Sequence, residues 1–243
     1  MVRYLITFSY DGSNYNGYQK QPNGNTIQDE LERVLTIINN DKVCIHASGR
    51  TDAKVHAINQ KAHFDLKVDI TCEKLKKAIN SLIKKDIYIK KVEAVDSSFH
   101  ARFNVKKKEY IYKINIGDYN PFMRNYIFQF NKNLDISKMN DAIVFFKGEH
   151  NFKSFTKAND EKDDYIRTIY DALINVDDNI ITIKFIGSGF LRYMVRNMVG
   201  LLLEIGTGKR NIEDVERILL LKDRTEAGIT AKPEGLYLKN VYY

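Results

Sequence analysis

A chain of 243 residues with 44% hydrophobic and 28% charged side chains is too apolar to be disordered, and it is long enough for one large domain or two of roughly 100–150 residues. Two cysteines, Cys44 and Cys72, exclude a disulfide framework and a four-cysteine zinc site, and they fit a reducing cytosol. The formal charge of +7 points to an anionic partner; it divides into +3 over residues 1–100 and +4 over the remainder, so folded surface in both halves carries it.

Residues 3–10 read as a strand. DGSNYNGYQKQPNGN follows as a long loop. Thr26 and Asp29, at capping-box spacing, open a helix in which Ile27, Leu31, Val34, Leu35 and Ile38 recur at helical period, ended by Asn39-Asn40. Residues 43–47 read as a strand. SGRTDAKVHAINQ is polar and poorly periodic, hence a loop. Ala62, Phe64 and Leu66 then alternate with Lys61, His63 and Asp65 as a half-buried strand. Thr71 caps a second helix, and residues 86–95 are strand-like. The boundary falls near residues 97–102, giving domains 1–100 and 101–243. In the second, Tyr110, Tyr112, Ile114 and Ile116 mark a strand, and a helix covers 136–147 up to Gly148. A hairpin turns at Asp177-Asp178-Asn179, a helix spans 190–205, Asn211 and Asp214 cap a short helix, and 235–243 is a last strand. Hairpins and uneven spacing favour an α+β fold over a doubly wound parallel sheet. The stretch 190–205 carries Arg192, Arg196 and Glu204 and is shorter than the ~20 residues of a membrane span. The opening MVRYLITFSYDG lacks the pattern of a signal peptide.

Three clusters hold the residue types that chemistry needs. In the loop 48–57, Arg50 and Asp52 are two residues apart. A carboxylate with an ordinary pKa near 3.9 is ionised at neutral pH and serves as nucleophile or base; taken alone, the pair better fits a turn stapled by an exposed ion pair worth ~0–1 kcal/mol. FHARF (99–103), followed by Lys106, Lys107, Lys108, Tyr110 and Tyr112, places net +4 over residues 102–113 among aromatic rings, which suits phosphate contact and base stacking. In the third cluster Arg192 and Arg196, at i and i+4 of an apolar helix, share a face and need an acidic partner if buried. Asp52 is one candidate; the alternatives are another structural acid, or solvent at the helix N-terminus, which Arg192 fits better than Arg196. The five histidines show no metal-binding spacing, and no Walker loop or nucleophile elbow is present. No metal is expected.

Taken together, YDGSNYNGYQKQPNGNTIQDELE (10–32), SGRTDAKVHA (48–57), FHARF (99–103), KEYIY (108–112), FLRYMVRNMVG (190–200) and KPEGLYL (232–238) resemble, in the same order, the TruA family of tRNA pseudouridine synthases. The resemblance spans the chain. It implies a two-lobed pseudouridine-synthase fold, with mixed and antiparallel sheets flanked by helices around a central cleft. It also implies isomerisation of uridine to pseudouridine in tRNA, in the anticodon stem-loop at positions 38 to 40, by a cytoplasmic homodimer without cofactor or metal. The catalytic aspartate of the family maps onto Asp52. Arg50 would orient Asp52 or fill the place of a flipped nucleotide, Tyr110 would stack on the uracil, and Arg196 would pair with Asp52. The RNA-contact set is then Lys54, His56, Arg102, Lys107, Lys108 and Arg192. Three residues depart from the family: Lys54 stands where Gly is usual, Tyr18 where Trp is, and Lys232 where a small or apolar residue is. Lys54 would alter the backbone if a positive φ is required there, or add a phosphate contact. Two other functions compete. An RNA binder of the same fold has no need of Asp52. A hydrolase of phosphorylated small molecules would need a second carboxylate or a metal cluster beside it.

Overall fold

The structure, a computed structural model, describes residues 1–22, 24–157 and 164–243; Asn23 of the first long loop lies outside them. Contacts divide the chain into two units, residues 1–106 with 237–243, and residues 107–236.

In the first unit, strand β1 (Val2–Tyr10) is followed by α1 (Ile27–Asn39), β2 (His46–Ala47), β3 (His56–Leu66), α2 (Cys72–Leu82) and β4 (Ile87–Val95). β1 pairs antiparallel with β3 on one side, Val2 opposite Leu66, and with β4 on the other, Arg3 opposite Val95. Its central place explains why Tyr4, Leu5, Ile6 and Phe8 are all buried. A shift of register between Phe8 and Tyr10 loosens the pairing with β3 just before the first loop. The helices start where the sequence places them. The Thr26 hydroxyl accepts the Asp29 N–H at 3.2 Å and donates to its carboxylate at 2.6 Å, and the Thr71 hydroxyl accepts from the Lys74 N–H. Each such cap contributes about 1 kcal/mol. Ile27, Leu31, Val34 and Leu35 form the fully buried stripe of α1, each adding about 1.5–3 kcal/mol of burial.

The second unit contains β5 (Lys107–Asn115), β6 (Phe128–Gln129), α3 (Ile136–Ile143), β7 (Gly148–Asn151), β8 (Ile166–Asp177), β9 (Ile180–Gly187), α4 (Met194–Gly206) and α5 (Asp214–Leu221). Its strands run in the order β5-β9-β8-β7, all antiparallel, with β6 parallel beside β5. Asp178, at φ +50, turns the hairpin between β8 and β9. α4 is buried nearly all round and packs on α3.

The helix expected over 190–205 starts four residues late. Tyr193 is left-handed at φ +66 and stands outside α4 as its N-cap. Arg192 is therefore not on the helix, and Arg192 and Arg196 are not helical neighbours. Instead their guanidinium groups lie 5.5 and 4.8 Å from the centre of the Tyr193 ring, where cation–π attraction contributes about 0.5–1 kcal/mol at exposed sites.

The last strand, β10 (Leu236–Tyr242), pairs parallel with β3, Tyr237 opposite His56 and Leu238 opposite Ala57. The Lys106 N–H donates to Tyr242 O at 2.9 Å. Chain order groups this strand with residues 101–243; its contacts group residues 237–243 with the first unit. Each unit mixes parallel and antiparallel pairings and carries helices beside its strands, an α+β architecture. No helix among the described residues is long and apolar enough to cross a membrane.

Candidate active site

Asp52 lies half-buried in the loop between β2 and β3, with Arg50 and Lys54 exposed on either side of it in the chain. Backbone contacts with the first long loop fix this segment. The Tyr18 N–H donates to Thr51 O at 3.1 Å, and the Lys54 N–H to Tyr15 O at 3.3 Å. The Tyr10 and Thr51 hydroxyls are 2.8 Å apart in a buried hydrogen bond. Before Asp52, the Ser48 hydroxyl donates to Gln60 Oε1 at 2.6 Å, and the Gln60 amide donates to Gly49 O at 3.0 Å; Ser48 and Gln60 are fully buried. After it, the Val55 N–H closes a turn onto Asp52 O at 3.2 Å.

Two glycines make this approach possible. A Cβ on Gly12 would lie 2.1 Å from Val55 O, and one on Gly17 would lie 2.9 Å from Thr51 O. Gly17 also has φ +96, a conformation that L side chains rarely adopt. YDG and YNG are thus the complement of GRTDAKVH: one loop is bare of side chains where the other crosses it.

His56 belongs to this frame. It opens β3 rather than lying in a loop, and it is 2% exposed. Its Nδ1 accepts the Gly12 N–H at 3.1 Å and is 3.3 Å from the Asp11 carboxylate. Its ring stacks on Tyr237 at 4.7 Å. Arg102 is exposed on a turn over residues 101–104. That turn hangs on a group the sequence reading did not assemble: His46, His63 and His100, with ring centres 4.6–5.7 Å apart. His63 Nδ1 accepts the Ala101 N–H at 3.1 Å, and His100 Nδ1 accepts the Arg102 N–H at 3.1 Å. Arg3 binds Asp65 through two nitrogens at 2.8 Å each and also reaches the carbonyls of Ser97 and Phe99. Among the described residues no group of three His, Cys, Asp or Glu side chains is placed to hold a metal.

Burial, with His100, His46 and Arg3 adding positive charge, pushes the His63 imidazole down to about 4. An unfolded histidine takes its proton near pH 6.5. Between that pH and 4 the unfolded chain binds more protons than the folded one, so stability falls as the pH drops through this window. Lowering the pH from 7 to 5 is expected to remove roughly 1–2 kcal/mol through this group. Thermal unfolding at the two pH values checks it, and a His63→Gln variant with the same pH dependence would assign the loss elsewhere.

In the second unit Tyr110 sits on β5, 8% exposed, with Phe190 edge-on behind its ring at 5.0 Å. Its neighbour Tyr112 is fully buried, and its hydroxyl donates to Lys232 O at 2.6 Å. Lys107 is exposed and Lys108 half-buried at the start of the same strand. Arg192 is exposed. Arg196, half-buried in the first turn of α4, donates from Nε to Ala231 O at 2.7 Å. Beside it is Asn197, which sequence reasoning passed over because a buried amide has no periodic signature. Its amide nitrogen donates to Phe155 O at 2.6 Å, and its oxygen accepts from Arg224 at 3.1 Å and Thr230 at 2.7 Å. A Cβ on Gly200 would meet Ile229 O at 1.8 Å, so the RNMVG stretch seats the 229–231 backbone directly against α4.

Asp52, His56, Arg102, Arg192 and Arg196 lie in regions shared with a known family; Lys107, Lys108 and Tyr110 fall between those regions. A family described as tRNA pseudouridine synthase matches residues 6–104 and 142–243. The tRNA pseudouridine synthase A of Anoxybacillus flavithermus is 45% identical over 244 residues, spanning 100% of this chain and 99% of that one. Its counterpart from Geobacillus sp. (strain WCH70) is 46% identical over 243 residues, 99% and 98% of the two chains. That of an Exiguobacterium species (strain AT1b) is 46% identical over 244, 100% and 98%. The chain belongs to the tRNA pseudouridine synthase family.

Proposed function

We propose that the protein converts uridine to pseudouridine in tRNA, at positions 38 to 40 of the anticodon stem-loop, with Asp52 as its catalytic carboxylate. The N1–C1′ glycosidic bond breaks, the uracil turns while held, C5 bonds to C1′ and loses its proton, and N1 takes one up; the product is an isomer, so no oxidant or co-substrate enters. The observation that carries this reading is the frame around Asp52. Two glycine-stripped crossings and a set of buried hydrogen bonds hold the backbone around the loop's one carboxylate at a fixed place, which is the preorganisation that catalysis needs. Tyr110, backed by Phe190, stacks on the uracil. Arg50 orients Asp52 or occupies the place of the flipped nucleotide, and Arg196 is the arginine of the catalytic set.

Arg102, Lys107, Lys108 and Arg192 bind phosphates, so affinity for tRNA falls steeply with salt. His56, from its burial, positions the loop rather than meeting the RNA. The protein acts in the cytoplasm as a homodimer without a cofactor. Incubation with unmodified tRNA, followed by carbodiimide mapping, tests the assignment. Stops at uridines of the anticodon stem-loop are expected. Product confined to another RNA overturns the substrate and keeps the chemistry; no product in any RNA overturns both.

A further inference from the structure

Lys54 is left-handed, at φ +65. Non-glycine residues seldom adopt this conformation, and when they do the strain is held in place by the surroundings, often at functional sites. Four of the other six such residues among those described are Asn or Asp, which tolerate the region. A fifth, Lys222, closes α5 as its C-cap, and the sixth is Tyr193. Lys54 ends no helix. The same pair of loops uses glycine at Gly17, where the backbone needs positive φ, yet here it keeps a long cationic side chain at a conformational cost.

That side chain is exposed, two residues beyond Asp52. Its backbone is pinned: the Lys54 N–H donates to Tyr15 O, and the next N–H, of Val55, closes onto Asp52 O. Other lysines of the chain, Lys20, Lys67, Lys91 and Lys184 among them, spend their ammonium groups on carboxylates. Lys54 has no such partner among the described residues. A cation on a fixed stem beside the reacting carboxylate, held at the expense of backbone strain and left without an internal acid, is built for an external anion.

We propose that Lys54 is a substrate-positioning residue, its ammonium binding a backbone phosphate of the RNA next to the nucleotide on which Asp52 acts. This rests on the function proposed above and narrows it: Lys54 contributes to which uridines are presented, through one phosphate contact at the site itself.

The test compares the parent with Lys54→Asn, which suits positive φ but lacks the charge, and Lys54→Arg, which keeps the charge. Equilibrium binding of unmodified tRNA is measured across a salt series, and pseudouridine formation is measured alongside. For Lys54→Asn the expected results are three- to tenfold weaker binding, a salt slope lower by about one phosphate contact, and a rise in KM rather than a fall in kcat. Lys54→Arg should bind within about twofold of the parent. Unchanged binding and salt slope in Lys54→Asn overturn the proposal, as does a loss confined to kcat, which would make the residue a support of the loop. Because binding is read separately from turnover, a parent that binds tRNA but forms no pseudouridine overturns the proposed function and leaves the phosphate contact decided by the slopes.

Discussion

Asp52→Ala is expected to form no detectable pseudouridine in tRNA that the parent modifies fully, while binding that tRNA as tightly or slightly more tightly. The two halves of this result have different physical origins. Removing a general base typically costs 10²–10⁴-fold in rate, and removing a nucleophile costs more, because the covalent route disappears with it. The contacts that hold Asp52 in place are made by Thr51, Tyr15, Tyr18 and Gln60, so the loop keeps its frame when the carboxylate goes. Affinity holds because the phosphate contacts are made by cations elsewhere, and it rises if anything, since a negative charge beside a polyanion has been removed. A single-turnover assay with mapped product, run beside equilibrium binding, reads both. Product at the parent's sites from Asp52→Ala would sink the role given to Asp52. Lost binding with lost product would mean that the loop had collapsed, and Asp52→Asn, closer in size and polarity, would then carry the comparison.

The parts of this molecule that sequence reveals are those whose cause is local. Thr26 and Thr71 cap helices through atoms three residues away, so their spacing predicts the starts of α1 and α2. The hairpin at Asp178 is equally self-contained. Asp52 is different. By itself it is an aspartate in a turn, and only its place in an ordered set of motifs singles it out. What the structure adds is the reason for the neighbouring glycines, which lies in a crossing between segments some forty residues apart. Other features stayed hidden for the same reason. The start of α4 was misplaced because residues 190–205 are almost continuously apolar and the left-handed backbone of Tyr193 has no residue-type signature. His56 read as a loop residue because its strand pairs with β10 at the far end of the chain. The histidines at 46, 63 and 100 come from three separate segments and meet only in the fold, so a search for metal spacing along the sequence could not find them.

Gly12→Ala should damage catalysis severely although Gly12 is not one of the reacting groups. Its Cβ would stand 2.1 Å from Val55 O and 2.7 Å from Val55 C. These are backbone atoms, so no flexible side chain can swing aside; either the first loop or the Asp52 loop must move. Moving the first loop also pulls the Gly12 N–H from His56 Nδ1, now at 3.1 Å, and moving the second shifts Val55, whose N–H closes the turn onto Asp52. Overpacking of this kind costs about 1–3 kcal/mol of stability. The catalytic penalty is larger in proportion, because a displacement of about 1 Å at a reacting group can cost about 10²-fold in rate. The loss should therefore fall on the single-turnover rate, with tRNA affinity nearly unchanged and a melting temperature only a few degrees lower. Gly189→Ala is the control. A Cβ there meets nothing closer than the Arg167 side chain at 3.6 Å, an ordinary contact, so rate and stability should stay near those of the parent. A Gly12→Ala enzyme that turns over at the parent's rate would show that the crossing of the two loops does not hold Asp52 in register, and the frame would lose its place in the catalytic argument.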